Sequence, residues 1–157
     1  MKQEYDAVFT KELVTIGIRL EGSRLIKLDY LTRRKSKKPT SKYAEKIRDK
    51  IERYLDANSK VKTLKVDVTL DVTPFQQKVL KQLELIPFGE TKTYGEIAKK
   101  LKTSPRAVGN ACRNNPLPII IPCHRVISVN GMGGYNGATD GDMMDVKAQL
   151  LKLEGVF

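Results

Sequence analysis

The chain holds a single histidine, His124, and only two cysteines, Cys112 and Cys123, among 157 residues. One His and two Cys cannot supply the four ligands of a closed structural zinc site without carboxylate help, and residues 1–72 contain neither type. A metal site is not expected on this count. Two cysteines without a repeating framework do not make a disulfide scaffold and suit a reducing cytosol, where thiols stay free. No stretch approaches the ~18 apolar residues that a membrane span requires. The opening Met-Lys-Gln-Glu-Tyr-Asp also lacks the apolar run of a secretory signal. The expected location is therefore the cytoplasm, with no membrane partner. Internal repeats and low-complexity tracts are missing as well.

Positive charge is what the chain has in excess: 29 basic against 18 acidic residues, a formal net charge of +11. Such a field favours nucleic acid or another anionic surface, although solubility alone also accounts for part of it. Residues 73–139 carry nine basic groups against Glu84, Glu90 and Glu96 only. The apolar fraction of 40% and charged fraction of 30% are ordinary for a folded soluble chain.

Residues 5–9, 13–20 and 25–31 read as short strands, with Glu21-Gly22-Ser23 as a hairpin turn between the last two. The basic segment 33–39 reads as a solvated mobile loop rather than a nucleic-acid patch. Residues 41–55 have helical periodicity, with Tyr43, Ile47, Ile51, Tyr54 and Leu55 on one face. Residues 61–72 read as extended, alternating Val66, Val68, Leu70 and Val72 with polar positions.

A boundary is expected at Thr73-Pro74, an N-cap followed by a first-turn proline. The helix they open should run to about Leu85, with Phe75, Val79, Leu80 and Leu83 as its apolar stripe. Thr93 and Glu96 then form a capping box that opens a helix over 94–101. Ser104-Pro105 open another over 105–113, and two short helices joined by a tight turn suggest a helix-turn-helix. Ala107, Gly109 and Ala111 would let that second helix approach a groove closely, though helix packing explains the two alanines equally well. Arg106 in its first turn opposes the helix dipole, so something outside the helix should favour it there.

Cys123 precedes His124 inside Ile-Pro-Cys-His-Arg-Val. A thiol becomes a strong nucleophile as a thiolate, and an imidazole is a common means of making one. The pair alone is compatible with a Cys-His hydrolase, an alkyl-accepting transferase, or a DNA-binding regulator with a structural thiol. Five ordered blocks decide among them. Arg-Ala-Val-Gly at 106–109, Asn-Pro at 115–116, Ile-Pro-Cys-His-Arg-Val at 121–126, Gly-Gly-Tyr at 133–135, and Lys147 followed by Leu-Leu and Glu-Gly within 150–155 resemble the O6-alkylguanine-DNA alkyltransferases. Those proteins move an alkyl group from damaged guanine onto their own cysteine.

The resemblance implies an α/β (α+β) protein. Residues 1–72 would be a strand-rich, ribonuclease H-like structural domain, and residues 73–157 a mostly helical alkyltransferase domain with a helix-turn-helix. Cys123 would be the acceptor, with His124 drawing its proton through an ordered water. Glu154 would orient the imidazole, and Asn115 would brace the turn holding the cysteine. Arg106 would fill the stack vacated by a flipped base, and Tyr94 would crowd the phosphate and help protonate the departing guanine. The carbonyls of Cys123 and Val126 would accept from the guanine amine. Gln76, Gly109 and Arg113 would complete the DNA-binding set, and Asn136 stands where many relatives carry a serine near the lesion oxygen. The segment 138–146 is longer and more acidic than the family pattern, which affects the expected pocket shape. The expected partner is double-stranded DNA containing O6-alkylguanine, with O4-alkylthymine as a further substrate. A monomer is expected, reacting once and irreversibly.

Overall fold

The structure, a computed structural model, describes residues 4–12, 14–32, 34–56, 62–135 and 141–156. The chain divides into two compact units, Met1–Leu70 and Asp71–Phe157. Among the described residues no helix is long and apolar enough to cross a membrane.

In the first unit, β1 (Ala7–Lys11), β2 (Val14–Glu21) and β3 (Arg24–Leu31) form an antiparallel meander in that order. The register pairs Phe9 with Ile16 and Ile18 with Leu28, which places apolar side chains on the inner face. Helix α1 (Lys42–Leu55) packs on β1 and β2. Ser41 caps it by accepting from the Ala44 amide at 3.1 Å. The buried stripe is Ala44, Ile47, Ile51, Tyr54 and Leu55, whereas Tyr43 is 56% exposed. Tyr43 was expected inside. It sits about 100° around the helix from Ala44, and the small alanine is what fits against the sheet.

Two other expectations change. The basic segment is exposed at Arg34, Lys35 and Lys38, yet Lys37 pairs antiparallel with Val8 through backbone bonds of 2.8 and 3.1 Å. It covers the free edge of β1 rather than forming an unattached loop. Residues 62–72 do alternate half-buried and exposed positions but form no strand. Their contact with the sheet is a single parallel bridge from Val68 to Leu25, reinforced by Arg24 donating to the Val68 carbonyl at 2.6 Å.

The second unit is mostly helical. Helix α2 (Pro74–Glu84) starts from a complete capping box: the Thr73 hydroxyl accepts from the Gln76 amide, and the Gln76 side chain accepts from the Thr73 amide. Val79, Leu80 and Leu83 are buried, but Phe75 is 38% exposed and so is not part of the stripe. A side chain in the first turn lies beyond the core that the later turns cover. Leu85 follows the helix and is 66% exposed.

Strand β4 (Lys92–Thr93) leads directly into α3 (Tyr94–Leu101), whose own capping box joins Thr93 and Glu96. Lys102 ends α3 in the left-handed conformation at φ 56°, and Ser104 caps α4 (Pro105–Arg113) by accepting from the Ala107 amide. Helix α4 buries Val108, Ala111 and Cys112 against α2 and α3. Beyond it comes one 3-10 turn, Cys123–Arg125, then β5 (Val126–Ile127) and α5 (Asp142–Leu153). Strands β4 and β5 pair in parallel, Lys92 with Val126 and Thr93 with Ile127. This short ladder fixes the start of α3 beside the turn that carries Cys123.

Candidate active site

The segment before Cys123 is held stiffly. Asn115 is buried, donates its side-chain amide to the Ile121 carbonyl at 2.9 Å and accepts from the Leu117 amide at 3.0 Å. Ile121 closes the same loop through a backbone bond to Leu117. Ile119 adopts φ 74°, a conformation a β-branched residue rarely takes, and is itself buried. Surrounding packing must over-determine it, at a cost of roughly 1–3 kcal/mol. Pro122 then precedes the 3-10 turn, whose Cys123 carbonyl accepts from the Val126 amide.

Cys123 is 6% exposed. Burial pushes its thiol above the ordinary range, while Asn115, the Lys147 charge and the Tyr135 hydroxyl each pull it back. The resting group is therefore a thiol, and it needs a base at the moment it reacts. Cys112, the other cysteine, is also buried and is pushed up to about 12 by burial and by its neighbour Cys123. It behaves as a small core side chain.

His124 and Glu154 are both buried, and His124 Nε2 lies 2.7 Å from Glu154 Oε2. Glu154 also binds Arg125, whose Nε donates to Oε1 at 2.8 Å and whose Nη2 donates to Oε2 at 2.9 Å. The amide of Gly89 donates to Oε1 at 3.2 Å. Gly89 has φ 85°, and a Cβ there would stand 3.1 Å from the Glu154 carbonyl, so a glycine is needed for this approach. Burial lowers the His124 pKa from its usual 6.5, opposed by Glu154 and assisted by Arg125 and Lys147. Near neutral pH the imidazole is uncharged, and with Nε2–H donating to the Glu154 carboxylate the basic lone pair belongs to Nδ1.

Lys147 is fully buried on the inner face of α5, beside Met144, Leu150 and Leu151. Its ammonium donates to the carbonyls of Val126 at 2.7 Å, Gly134 at 2.8 Å and Met132, and stands 5.8 Å from the centre of the Tyr94 ring. Burial pulls its pKa down to about 8, against the two neighbouring thiols. Tyr94 is half-buried, donates to the Gly134 carbonyl at 3.3 Å, and is pushed up to about 12 by burial. Gly133, at φ 73°, passes under the same ring, where a Cβ would come 2.7 Å from Tyr94 Cε2.

The structure thus gathers Cys123, His124, Glu154, Asn115 and Tyr94 around one turn. Arg106 and Arg113 are exposed on α4, away from its buried face. A Cβ added to Gly109 would meet nothing within 4 Å, so packing within the unit does not explain that glycine. Ala111, by contrast, is core. The hydrogen bond seen for the Gln76 side-chain oxygen caps α2. The Val126 carbonyl, expected to receive a substrate amine, already receives Lys147 and has only its second lone pair to offer. Asn136 lies outside the described residues, as do residues 138–140 of the longer segment.

Arg125, Lys147, Gly89 and Tyr135 were not among the expected site residues. A signal existed for Lys147, a cation at helical spacing from Met144, Leu150 and Leu151. Gly89 and Arg125 act through contacts some 29 to 65 residues apart in sequence, which no local pattern reveals.

Comparison with known proteins agrees with this geometry. Residues 74–156 match the family described as 6-O-methylguanine DNA methyltransferase, DNA binding domain. The methylated-DNA–protein-cysteine methyltransferase of Archaeoglobus fulgidus is 40% identical over 139 residues, covering 88% of this chain and 90% of that protein. The chain belongs to the O6-methylguanine-DNA methyltransferase family. The Methanocaldococcus jannaschii protein with the same description is 54% identical over 83 residues, 53% of this chain and about half, 49%, of that protein. Among solved structures, the Mycobacterium tuberculosis protein OGT in complex with DNA aligns with TM-score 0.75 at 35% identity, covering 89% of this chain and 86% of that one. The mixed α/β architecture, with its helices and small sheets, is that of this methyltransferase family.

The buried Lys147 yields a stability prediction. Lys147→Met keeps most of the side-chain volume but strands three carbonyls, each costing about 1–3 kcal/mol when buried without a donor. Thermal melting should show a loss of about 12 °C or more for the unit that carries it. An unchanged melting temperature would mean that those carbonyls do not depend on the ammonium.

Proposed function

We propose that this methyltransferase-family chain repairs O6-alkylguanine in duplex DNA by transferring the alkyl group to Cys123. The observation that carries the reading is a buried thiol adjoining a neutral histidine paired to a buried carboxylate, in a chain of this family. In the reaction the Cys123 proton passes to His124, through an ordered water as the family resemblance implies. The sulfur attacks the alkyl carbon in line, an S–C bond forms and the C–O bond to guanine breaks. The purine takes up a proton in place of the alkyl group, with Tyr94 as the nearby hydroxyl donor. A phenol pushed up to about 12 is a weak acid that stays protonated at neutral pH, so its donation is balanced by return of the proton that His124 took from the thiol. The products are a thioether and restored guanine. A thioether sulfur is a poor leaving group, so each chain acts once, and no cofactor takes part.

A stacked guanine keeps its alkylated oxygen out of reach, so the base must leave the helix. We read α3, the turn Lys102–Ser104 and α4 as the helix-turn-helix that does this, laid in the minor groove. Arg106 would occupy the vacated stack, Arg113 would reach phosphate, and Gly109 would permit close approach of the α4 backbone. Exposed Lys99, Lys100 and Lys102 extend the same basic surface. Gln76 has only its amide nitrogen to contribute, since its oxygen caps α2; Val126 and Cys123 offer second carbonyl lone pairs to the guanine amine. Asn136 would take the place of the serine near the lesion oxygen. The first unit is read as a ribonuclease H-like structural domain on its meander and following helix. The working form is a cytoplasmic monomer that also accepts O4-alkylthymine.

Two experiments test the reading. Incubation with duplex DNA bearing radiolabelled O6-methylguanine should leave one equivalent of label on the protein, and Cys123→Ala should carry none. Repeated turnover, or label retained by the variant, would exclude self-alkylation at Cys123. Arg106→Ala should slow repair of duplex DNA by about tenfold or more, because unstacking a base costs a few kcal/mol. Its reaction with free benzylated guanine should stay near wild type. Equal losses on both substrates would remove Arg106 from base flipping.

A further inference from the structure

Arg125 follows the thiol–imidazole pair directly, yet alkyl transfer as written above gives it no task. Its side chain is only 11% exposed, and each of its three guanidinium nitrogens donates a hydrogen bond. Two nitrogens grip both oxygens of Glu154 at 2.8 and 2.9 Å, a third donates to the Ile86 carbonyl at 2.7 Å, and the group lies 5.9 Å from the centre of the Phe88 ring. Glu154 Oε2 therefore serves two donors at once, Arg125 and His124, while Oε1 serves Arg125 and the Gly89 amide.

We propose that Arg125 is a positioning residue for the transfer reaction, fixing the Glu154 carboxylate against His124 and cancelling its charge so that the imidazole is held in place but kept neutral. This rests on the alkyl-transfer reading given above. A buried carboxylate 2.7 Å from an imidazole, with no other cation on it, would favour the imidazolium. An imidazolium has no lone pair with which to take a thiol proton. The bidentate arginine makes the carboxylate's charge already balanced, so Glu154 can orient His124 without protonating it.

The groups around His124 are consistent with that balance. Helix α5 presents Glu154 and Lys147, and the 3-10 turn itself presents Arg125 and Cys123. Helix α2, also packed on this turn, buries only Val79, Leu80 and Leu83. Burial lowers the His124 pKa, Glu154 raises it, and Arg125 and Lys147 lower it. Loss of Arg125 removes a repulsive charge and frees an attractive one, so both effects move His124 upward.

Because the chain has one histidine, its ring resonance is unambiguous. NMR titration of His124 in the full chain, with melting curves to confirm folding, tests the proposal. In Arg125→Met the titration midpoint should rise by about one unit or more. The acid limb of transfer from free benzylated guanine should rise with it, because neutral imidazole is lost at a higher pH. Arg125→Lys keeps the charge but not the planar fork, and should raise the midpoint by less. A folded Met variant with an unmoved midpoint would overturn the proposal and leave Arg125 a purely structural clamp. If the Met variant does not fold, Arg125→Gln, which removes the charge but keeps hydrogen-bond donors, decides, and an unmoved midpoint there has the same meaning. Failure of wild-type protein to accept benzyl at all would instead refute the alkyl-transfer reading, while the titration would still report on Arg125.

Discussion

Everything at the site depends on one buried carboxylate. Glu154 stands at the end of α5, is 5% exposed, and is reached by His124 and Arg125 from the 3-10 turn and by Gly89 from the turn after α2. A carboxylate removed from water is costly unless its oxygens are well paired, and a partly paired one is worse than none. The three segments must therefore arrive together. That requirement couples the position of the thiol to the C-terminal helix, although a rigid loop already leads into it from α4. A glycine at position 89 suits the same constraint, since φ is 85° there and a Cβ would come 3.1 Å from the Glu154 carbonyl.

The second theme is the tension between burial and reactivity. Cys123 lies among Asn115, Tyr135 and Lys147, and burial outweighs their combined pull toward the thiolate. A thiol of this kind is protected from casual oxidation and metal capture. Its reactivity must be supplied by a base aimed at it, and only one imidazole exists in the chain. Lys147 serves the same end indirectly. By holding the carbonyls of Val126, Met132 and Gly134 beside Tyr94, it joins the segment after Cys123 to the start of α3.

Much of this was legible in the sequence, for identifiable reasons. The caps at Thr73, Thr93 and Ser104 are local chemistry, and the structure has helices starting at each of them. The Cys123-His124 pair is visible as residues, but its partner Glu154 is 30 positions away and was accessible only through family resemblance. Arg125 was read as part of a motif without a role, because its function lies in contacts with Glu154, Ile86 and Phe88 that fold together from afar. Tyr43 and Phe75 show the opposite error. Both fit an apolar periodicity, yet in the first turn of α1 the small Ala44 is buried while Tyr43 is exposed, and Phe75 in the first turn of α2 is 38% exposed. The Val126 carbonyl was expected to wait for substrate, and sequence patterns carry no information about a lysine tail that bonds to a backbone oxygen.

The proposed acceptor role of Cys123 depends on the Glu154–His124 pair making the thiol reactive. Intact-mass measurement, with peptide mapping, of wild type and Glu154→Gln after the same brief exposure to benzylated guanine tests this directly. Wild type should gain a single benzyl group, mapped to Cys123, while Glu154→Gln remains largely unmodified over the same interval. Equal labelling of the two proteins, or benzyl found on Cys112, would contradict it.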